Sequence, residues 1–278
     1  MAAKHKTKTT ADKLRRGTKL GKYKLDKRLG IGGSCEVWRA RDTVEGVKVA
    51  LKIPPENIEG AENTALLREI RLVSKLRHEH ILPVKNADII QGRAVLATEL
   101  STKTLDDCSK PMSARRIVSI MEQVLAGLAY AHKHRVVHCD VTPGNIFLFE
   151  SDRAALGDFG ISKQKKGRME TMEEYGTPGY VSPEQAYGRP DYRSDCFSVG
   201  LILYEYLTGV LPKWPFKRPF KGEQRVKEKT TGVFLNFVVK ALAVEPKKRY
   251  ANAGKMLEAL RKAKPRRLVK KSKAKSKR

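Results

Sequence analysis

The chain lacks any apolar run that could span a bilayer: its best stretch, Phe197 to Leu207, falls short of the roughly 20 residues a crossing helix needs and carries Glu205. The N-terminus is basic but has no apolar core of the signal-peptide kind, so a cytoplasmic location is expected. Cysteine is scarce. Cys35, Cys108, Cys139 and Cys196 form no C-x-x-C pair, which gives zinc and dithiol chemistry little support and fits the reduced thiols of the cytosol. No internal repeat is visible, and no zinc finger or other nucleic-acid motif. Acidic residues are the other shortage, with 30 Asp and Glu against 57 Lys and Arg and a formal net charge of +27. The imbalance is uneven: residues 1–22 carry eight Lys or Arg against Asp12 alone, and residues 261–278 carry eleven against none, so two thirds of the excess sits at the two ends. Such blocks repel themselves and stay solvated. A basic, disordered arm over 1–22 and a similar tail over 265–278 are expected. They would attract nucleic acid or other anionic surfaces, with nuclear or nucleoid association among the consequences, or act only as solubilisers.

Between the ends there is enough apolar material for a core, 40% of the chain being hydrophobic. Residues 23–29 alternate like a strand, Gly30-Ile31-Gly32-Gly33 makes a turn, and a second strand runs through Val37, Trp38 and Ala40. Residues 47–53 read as a third strand closed by Pro54-Pro55, residues 63–77 as a helix, and 81–90 and 93–100 as two further strands. From there the pattern turns helical: 113–134, 195–208 (apolar nearly all round and therefore buried), 232–243 and 252–263, with an irregular Pro- and Lys-rich stretch at 211–230. An α+β, bilobal architecture follows, with a small β-rich lobe over 23–100, a larger helical lobe over 101–264, and a ligand cleft expected between them.

Four groups of residues carry chemistry. Glycines in Gly30-Ile31-Gly32-Gly33-Ser34-Cys35-Glu36-Val37 let backbone N–H groups approach phosphates, though any hairpin can carry them. Lys52, ending the strand Val49-Ala50-Leu51-Lys52, needs a counter-charge if buried, and Glu69 on the next helix is the candidate. The segment His138-Cys139-Asp140-Val141-Thr142-Pro143-Gly144-Asn145, followed by Asp158-Phe159-Gly160, offers two carboxylates and an amide, hard oxygen donors of the kind Mg²⁺ shares with substrate phosphates. Finally, Lys213-Trp214-Pro215-Phe216-Lys217-Arg218-Pro219 mixes basic and aromatic residues, either as a docking surface suited to acidic substrates or as a loop anchored by Trp214 and Phe216.

In this order and spacing, the motifs over residues 23–262 resemble the eukaryotic-type (Hanks-type) protein kinase family, which has bacterial members. The resemblance implies a serine/threonine kinase that moves the γ-phosphoryl group of ATP to protein hydroxyls with Mg²⁺, or Mn²⁺, as cofactor. It assigns Asp140 as catalytic base, Lys52 and Glu69 as the phosphate-anchoring pair, and Asn145 and Asp158 as metal ligands. Gly30, Ile31, Gly32, Gly33, Ser34, Cys35, Val37, Ala50, Lys52 and Glu99 would bind ATP, with Thr98 as gatekeeper. Gly176-Thr177-Pro178-Gly179-Tyr180-Val181-Ser182-Pro183-Glu184 resembles the end of an activation segment holding Thr171, Thr177 and Glu184; His138, Asp195 and Arg249 would be structural.

Three positions depart from the family pattern. Cys139 replaces the arginine that normally meets an activation-segment phosphate, so activity is expected to depend little on phosphate at Thr171 or Thr177. Thr142 stands where a lysine usually touches the γ-phosphate. This admits an alternative, an ATP-binding pseudokinase scaffold whose tails bind polyanions, unless Lys163, Lys165 or Lys166 supplies the charge. Cys35 replaces the third glycine of the loop, and a small residue in a turn is its expected role.

Overall fold

The computed structural model describes residues 14–31, 35–54, 61–159 and 176–263. The chain divides into two compact units, one running to Arg71 and including Pro83–Leu100, the other comprising Leu72–Leu82 and the chain from Ser101 onward. The first is β-rich and the second mainly helical, the α+β class expected from the sequence.

The first unit is a six-stranded antiparallel sheet. Strands β1 (Lys19–Leu20), β2 (Tyr23–Ile31), β3 (Glu36–Asp42), β4 (Lys48–Ile53), β5 (Val84–Ile90) and β6 (Arg93–Glu99) pair in the order β1-β2-β3-β4-β6-β5. Alternation decides the faces: Val49, Leu51 and Ile53 of β4 join Leu25, Trp38, Ala40 and Val95 in the core, while Ala50 and Lys52 point to the other side. Helix α1 (Ala61–Val73) buries Leu66 with Leu67 and Ile70 against Ala94 and Leu96. It stops four residues before the expected end at 77. Lys75 N–H donates to Leu72 C=O at 3.1 Å and Leu76 N–H to Val73 C=O at 2.9 Å, the short i to i+3 bonds of a helix tightening as it terminates. Leu76 is buried beyond that end, which is why its apolar character extends the helical pattern past the true boundary.

The basic arm drawn through residue 22 reaches further into folded structure than its charge suggests. Leu14 and Leu20 lie in the sheet core, and β1 pairs Lys19 with Lys24 and Leu20 with Tyr23. Residues 1–13 of the arm and the tail from 264 lie outside the described residues.

In the second unit, β7 (Lys103–Thr104), β8 (Ile146–Leu148) and β9 (Ala154–Leu156) form a small antiparallel sheet beside α2 (Ala114–Lys133), α3 (Pro183–Ala186), α4 (Tyr192–Thr208), α5 (Glu223–Lys229), α6 (Gly232–Ala241) and α7 (Ala253–Ala263). Ser113 caps α2 by accepting from Arg116 N–H. Gly127 in its middle lets the helix close on the backbone: a Cβ there would stand 2.5 Å from His80 O. Helix α4 is buried from Ser194 to Thr208, as a pattern apolar nearly all round foretells. A capping box of Asp191 and Ser194 starts it, and Gly209, at φ 78°, stops it. Of the aromatics at 213–219, Phe216 alone anchors, edge-on to Phe197 at 5.0 Å, whereas Trp214 is 64% exposed. No helix among the described residues is long and apolar enough to cross a membrane.

Candidate active site

In the β-rich unit the register sets which side chains share a face. Val37 stands opposite Lys52, and Ala50 opposite Thr98, so Val37, Ala50 and Lys52 line the face turned away from the sheet core; Glu99 pairs with Val49. The Lys52 ammonium donates to both oxygens of the buried Glu69 carboxylate, at 3.1 and 2.9 Å, the counter-charge that the strand-end lysine requires. Gly30 and Ile31 are exposed at the end of β2. Gly32, Gly33 and Ser34 lie outside the described residues. The Cys35 side chain is only 5% exposed and packs with Leu66, Ala94 and Leu96. It is a core residue, which a small apolar thiol fills well.

In the helical unit one buried carboxylate organises the loop. Asp195, in the first turn of α4, accepts from the backbone N–H of His138 and of Cys139, both at 2.9 Å. A third donor is His132 of α2, whose Nε2 lies 2.8 Å from Asp195 Oδ2. His132 Nδ1 accepts from Ala253 N–H at 3.1 Å, so that nitrogen is bare and Nε2 carries the proton. The sequence reading missed His132. Its signal is a histidine continuing the apolar Val124, Leu128 stripe by one more step of four.

His138 is fully buried. Its Nδ1 accepts from Asp140 N–H at 3.2 Å, its Nε2 donates to Gly157 C=O at 3.0 Å, and its ring lies 4.5 Å from that of Phe159. Burial pushes its pKa down, outweighing the opposing pull of Asp195 and Asp140. A neutral ring with both nitrogens committed is a strut, not an acid or base.

Asp140 and Asn145 meet. Asn145 Nδ2 donates to Asp140 O and to Asp140 Oδ2, both at 2.9 Å, leaving the amide oxygen as the end able to take a cation. Thr177 donates to Asp140 Oδ1 through its backbone N–H at 3.0 Å and its hydroxyl at 2.9 Å. The pairing of Ile146 with Leu156, and the bond from Gly157 N–H to Asn145 O at 3.0 Å, bring the start of the Asp158-Phe159 segment alongside Asn145. Cys139 and Asp158 both sit at positive φ, 65° and 52°, backbone conformations held by the surrounding contacts. Among the described residues no three His, Cys, Asp or Glu side chains converge as a closed metal cage. One carboxylate and one amide oxygen fit Mg²⁺, which commonly takes few protein ligands and completes its shell with phosphates and water.

The segment after the Asp140–Asn145 loop is fixed at Glu184. Arg249 grips it with both terminal nitrogens, at 2.8 and 2.9 Å, and the hydroxyls of Ser182 and Ser194 donate to Oε1 at 2.7 and 2.6 Å. Burial opposes ionisation, but the Arg249, Ser194 and Ser182 bonds prevail and hold the carboxyl below its ordinary value. Gln185, buried beside it, donates to Cys139 C=O; nothing in the sequence marks that glutamine. Thr171 lies outside the described residues.

The model of the protein kinase domain matches residues 23–267. This chain belongs to the protein kinase family. Among curated relatives it is 34% identical over 207 residues to the DNA damage-responsive serine/threonine-protein kinase RqkA of Deinococcus radiodurans, covering 69% of this chain and 30% of that protein. It is 35% identical over 205 residues to the serine/threonine-protein kinase PknD of Mycobacterium tuberculosis, covering 70% and 31%. The chain thus spans about a third of the length of these two relatives. Among solved structures, the apo form of PpkA-294 superposes with a TM-score of 0.76 at 21% identity, over 89% of this chain and 99% of that one. The PknI kinase domain of Mycobacterium tuberculosis does so with 0.69 at 23%, over 90% and 99%. These two likenesses establish the kinase-domain fold.

Proposed function

We propose that the chain transfers the γ-phosphoryl group of ATP to serine or threonine hydroxyls of protein substrates, in the manner of the bacterial kinases it resembles. The observation that carries this reading is the hydroxyl of Thr177 resting 2.9 Å from Asp140 Oδ1. That carboxylate already receives a hydroxyl hydrogen bond at the distance a general base needs to orient an acceptor alcohol. Asp140 then takes the proton as the new P–O bond forms. Asn145 restrains the other carboxylate oxygen and the loop carbonyl, so Asp140 keeps one orientation through the transfer. Asn145 and Asp158 would hold Mg²⁺, or Mn²⁺, which when bound neutralises phosphate charge. Lys52, steadied by Glu69, would bind the nucleotide phosphates, and Val37 and Ala50 on the same sheet face would meet the adenine ring.

For substrates, a groove of about 810 Å³ lined by Pro178, Val181, Tyr187, Leu211, Lys213 and Trp214 follows Thr177. Its apolar walls and Lys213 suit an apolar residue with acidic neighbours, which favours acidic proteins as substrates. A cytoplasmic location rests on the reduced-thiol reading of the cysteines. The pseudokinase alternative rests on Thr142 alone, and the relatives compared above are named kinases.

The test is incubation with labelled ATP and Mg²⁺, comparing the wild type with Asp140→Ala on generic and acidic proteins. Transfer by the wild type and its loss in the variant are expected. Equal labelling by both proteins, or by neither, would defeat the proposal.

A further inference from the structure

One row of side chains crosses the β-rich unit with a single sign of charge. The register pairs Lys19 with Lys24, Lys24 with Arg41, and Arg41 with Lys48. Directly opposed residues project from the same face, so four cations stand in line across β1, β2, β3 and β4. All four are exposed, while their strand neighbours Leu20, Leu25, Ala40 and Val49 are buried on the other face. At the usual strand spacing of about 4.8 Å the row is about 14 Å long.

Within residues 14–53 no acid is left over to offset it. Residues 14–53 contain four acids, and each is engaged elsewhere: Asp26 with Arg39, Glu36 with Arg28 and Trp38, and both Asp42 and Glu45 with Lys22. Among the described residues none of the four row cations has an ion-pair partner. Like charges facing one another across a ladder destabilise a sheet. Three such facing pairs in succession make a strained surface that a line of anionic groups would relieve.

We propose that the Lys19–Lys24–Arg41–Lys48 row seats the phosphate backbone of a double-stranded nucleic acid without reading its bases. A protein partner fits less well. Protein interfaces bury an apolar centre, whereas the exposed apolar side chains of these strands, Leu29 and Ile31 at the far end of β2 and Val44 and Val47 in the turn between β3 and β4, lie off the row. A single strand fits less well too, because such sites stack bases on aromatic rings, and the aromatics of these strands, Tyr23 and Trp38, are buried. Sequence-independent duplex contact needs only cations at close spacing on a smooth surface. The row shares its sheet face with Val37, Ala50 and Lys52, but the inference does not depend on the phosphoryl-transfer reading.

The full chain, tails included, is titrated onto a fluorescent mixed-sequence duplex and binding is followed by anisotropy at several salt concentrations. The wild type is compared with the triple variant Lys24→Gln, Arg41→Gln, Lys48→Gln. A charge-matched control, Lys133→Gln, Lys221→Gln, Lys247→Gln, alters exposed lysines of the other unit. Each phosphate contact contributes about 0.9 to the slope of log K against log salt, so the row variant should lose about 2.7 from that slope. Between about 50 and 200 mM salt this makes its fall in affinity about 40-fold smaller than the wild type's. The control should keep the wild-type slope, and thermal melts should show both variants folded. Should the triple variant melt early, the single variant Arg41→Gln carries the same test with a loss of about 0.9. An unchanged slope in the row variant, or an equal drop in the control, overturns the proposal. So does a row variant that loses binding to polyglutamate or to anionic vesicles while its duplex binding is intact.

Discussion

Replacing His132 by alanine tests whether the catalytic loop is held from below. The imidazole donates to Asp195 at 2.8 Å and accepts from Ala253 N–H at 3.1 Å, inside a region where the side chain is 4% exposed. Truncation orphans a buried N–H, removes one of three donors to a buried carboxylate, and opens a void beside Tyr192. A buried donor left unmade costs about 1–3 kcal/mol, a bond to a charged group is worth about 1.5–3, and the void adds to both, so a loss of about 3–5 kcal/mol is expected. The loop effect is separate. Asp195 fixes the His138 and Cys139 N–H groups, and Asp140 follows directly in sequence. A displacement of the order of 1 Å at Asp140 can lower kcat by about 100-fold. Chemical denaturation gives the first quantity. Steady-state kinetics at a temperature where the variant stays folded give the second, with KM for ATP little changed. His132→Gln, which can still donate toward Asp195, should recover part of kcat. A His132→Ala protein with wild-type kcat and stability would refute the reasoning, and so would a Gln variant no better than Ala in kcat.

Four further outcomes follow from the same geometry. Arg249→Ala removes a fully buried guanidinium from the half-buried Glu184 carboxylate, which keeps the Ser182 and Ser194 hydroxyls, and should cost about 3 kcal/mol in urea unfolding. Because Glu184 has a depressed folded-state pKa, its stabilising effect is complete above the ordinary carboxylate value and is lost as pH falls through the lower folded value; Glu184→Gln should flatten that acid limb of a stability-against-pH curve. Thr142→Lys, restoring a charge where the family usually has one, should raise the single-turnover transfer rate, by up to about 100-fold if it recovers one donor to the developing charge; an unchanged or lower rate would remove the suspected deficit. Gly127→Ala normally favours a helix by about 1 kcal/mol, yet the new Cβ would stand 2.5 Å from His80 O, so the melting temperature should fall instead of rising.

Much of this was legible in the residues. The strand at 47–53 and the buried helix from Phe197 were both readable, since period and burial are local properties of the pattern. The pairing of Lys52 with Glu69 was readable from the need of a strand-end lysine for a counter-charge, whereas that of Glu184 with Arg249 was readable only through a family resemblance, because 65 residues separate the partners. What escaped was long-range or masked by charge. The leucines of the basic arm, Leu14 and Leu20, are core residues surrounded in sequence by Lys and Arg, and the cations hid them. His132 and Gln185 carry no motif; their importance arises from which backbone atoms the fold brings within reach. The packing of Cys35 escaped because it depends on a helix some thirty residues away and not on its neighbours in the glycine-rich stretch.

Helix α4 is pinned at both ends, by the Asp191–Ser194 box and by Gly209. Each residue of an α-helix advances the side-chain direction by about 100°. Inserting or deleting a single residue between Asp195 and the cap would therefore swing that carboxylate off the two amides it clasps, even with every apolar contact further along the helix repacked. Point changes in this helix are expected to tune stability gradually, whereas a change in its length would abolish the proposed phosphoryl transfer in one step.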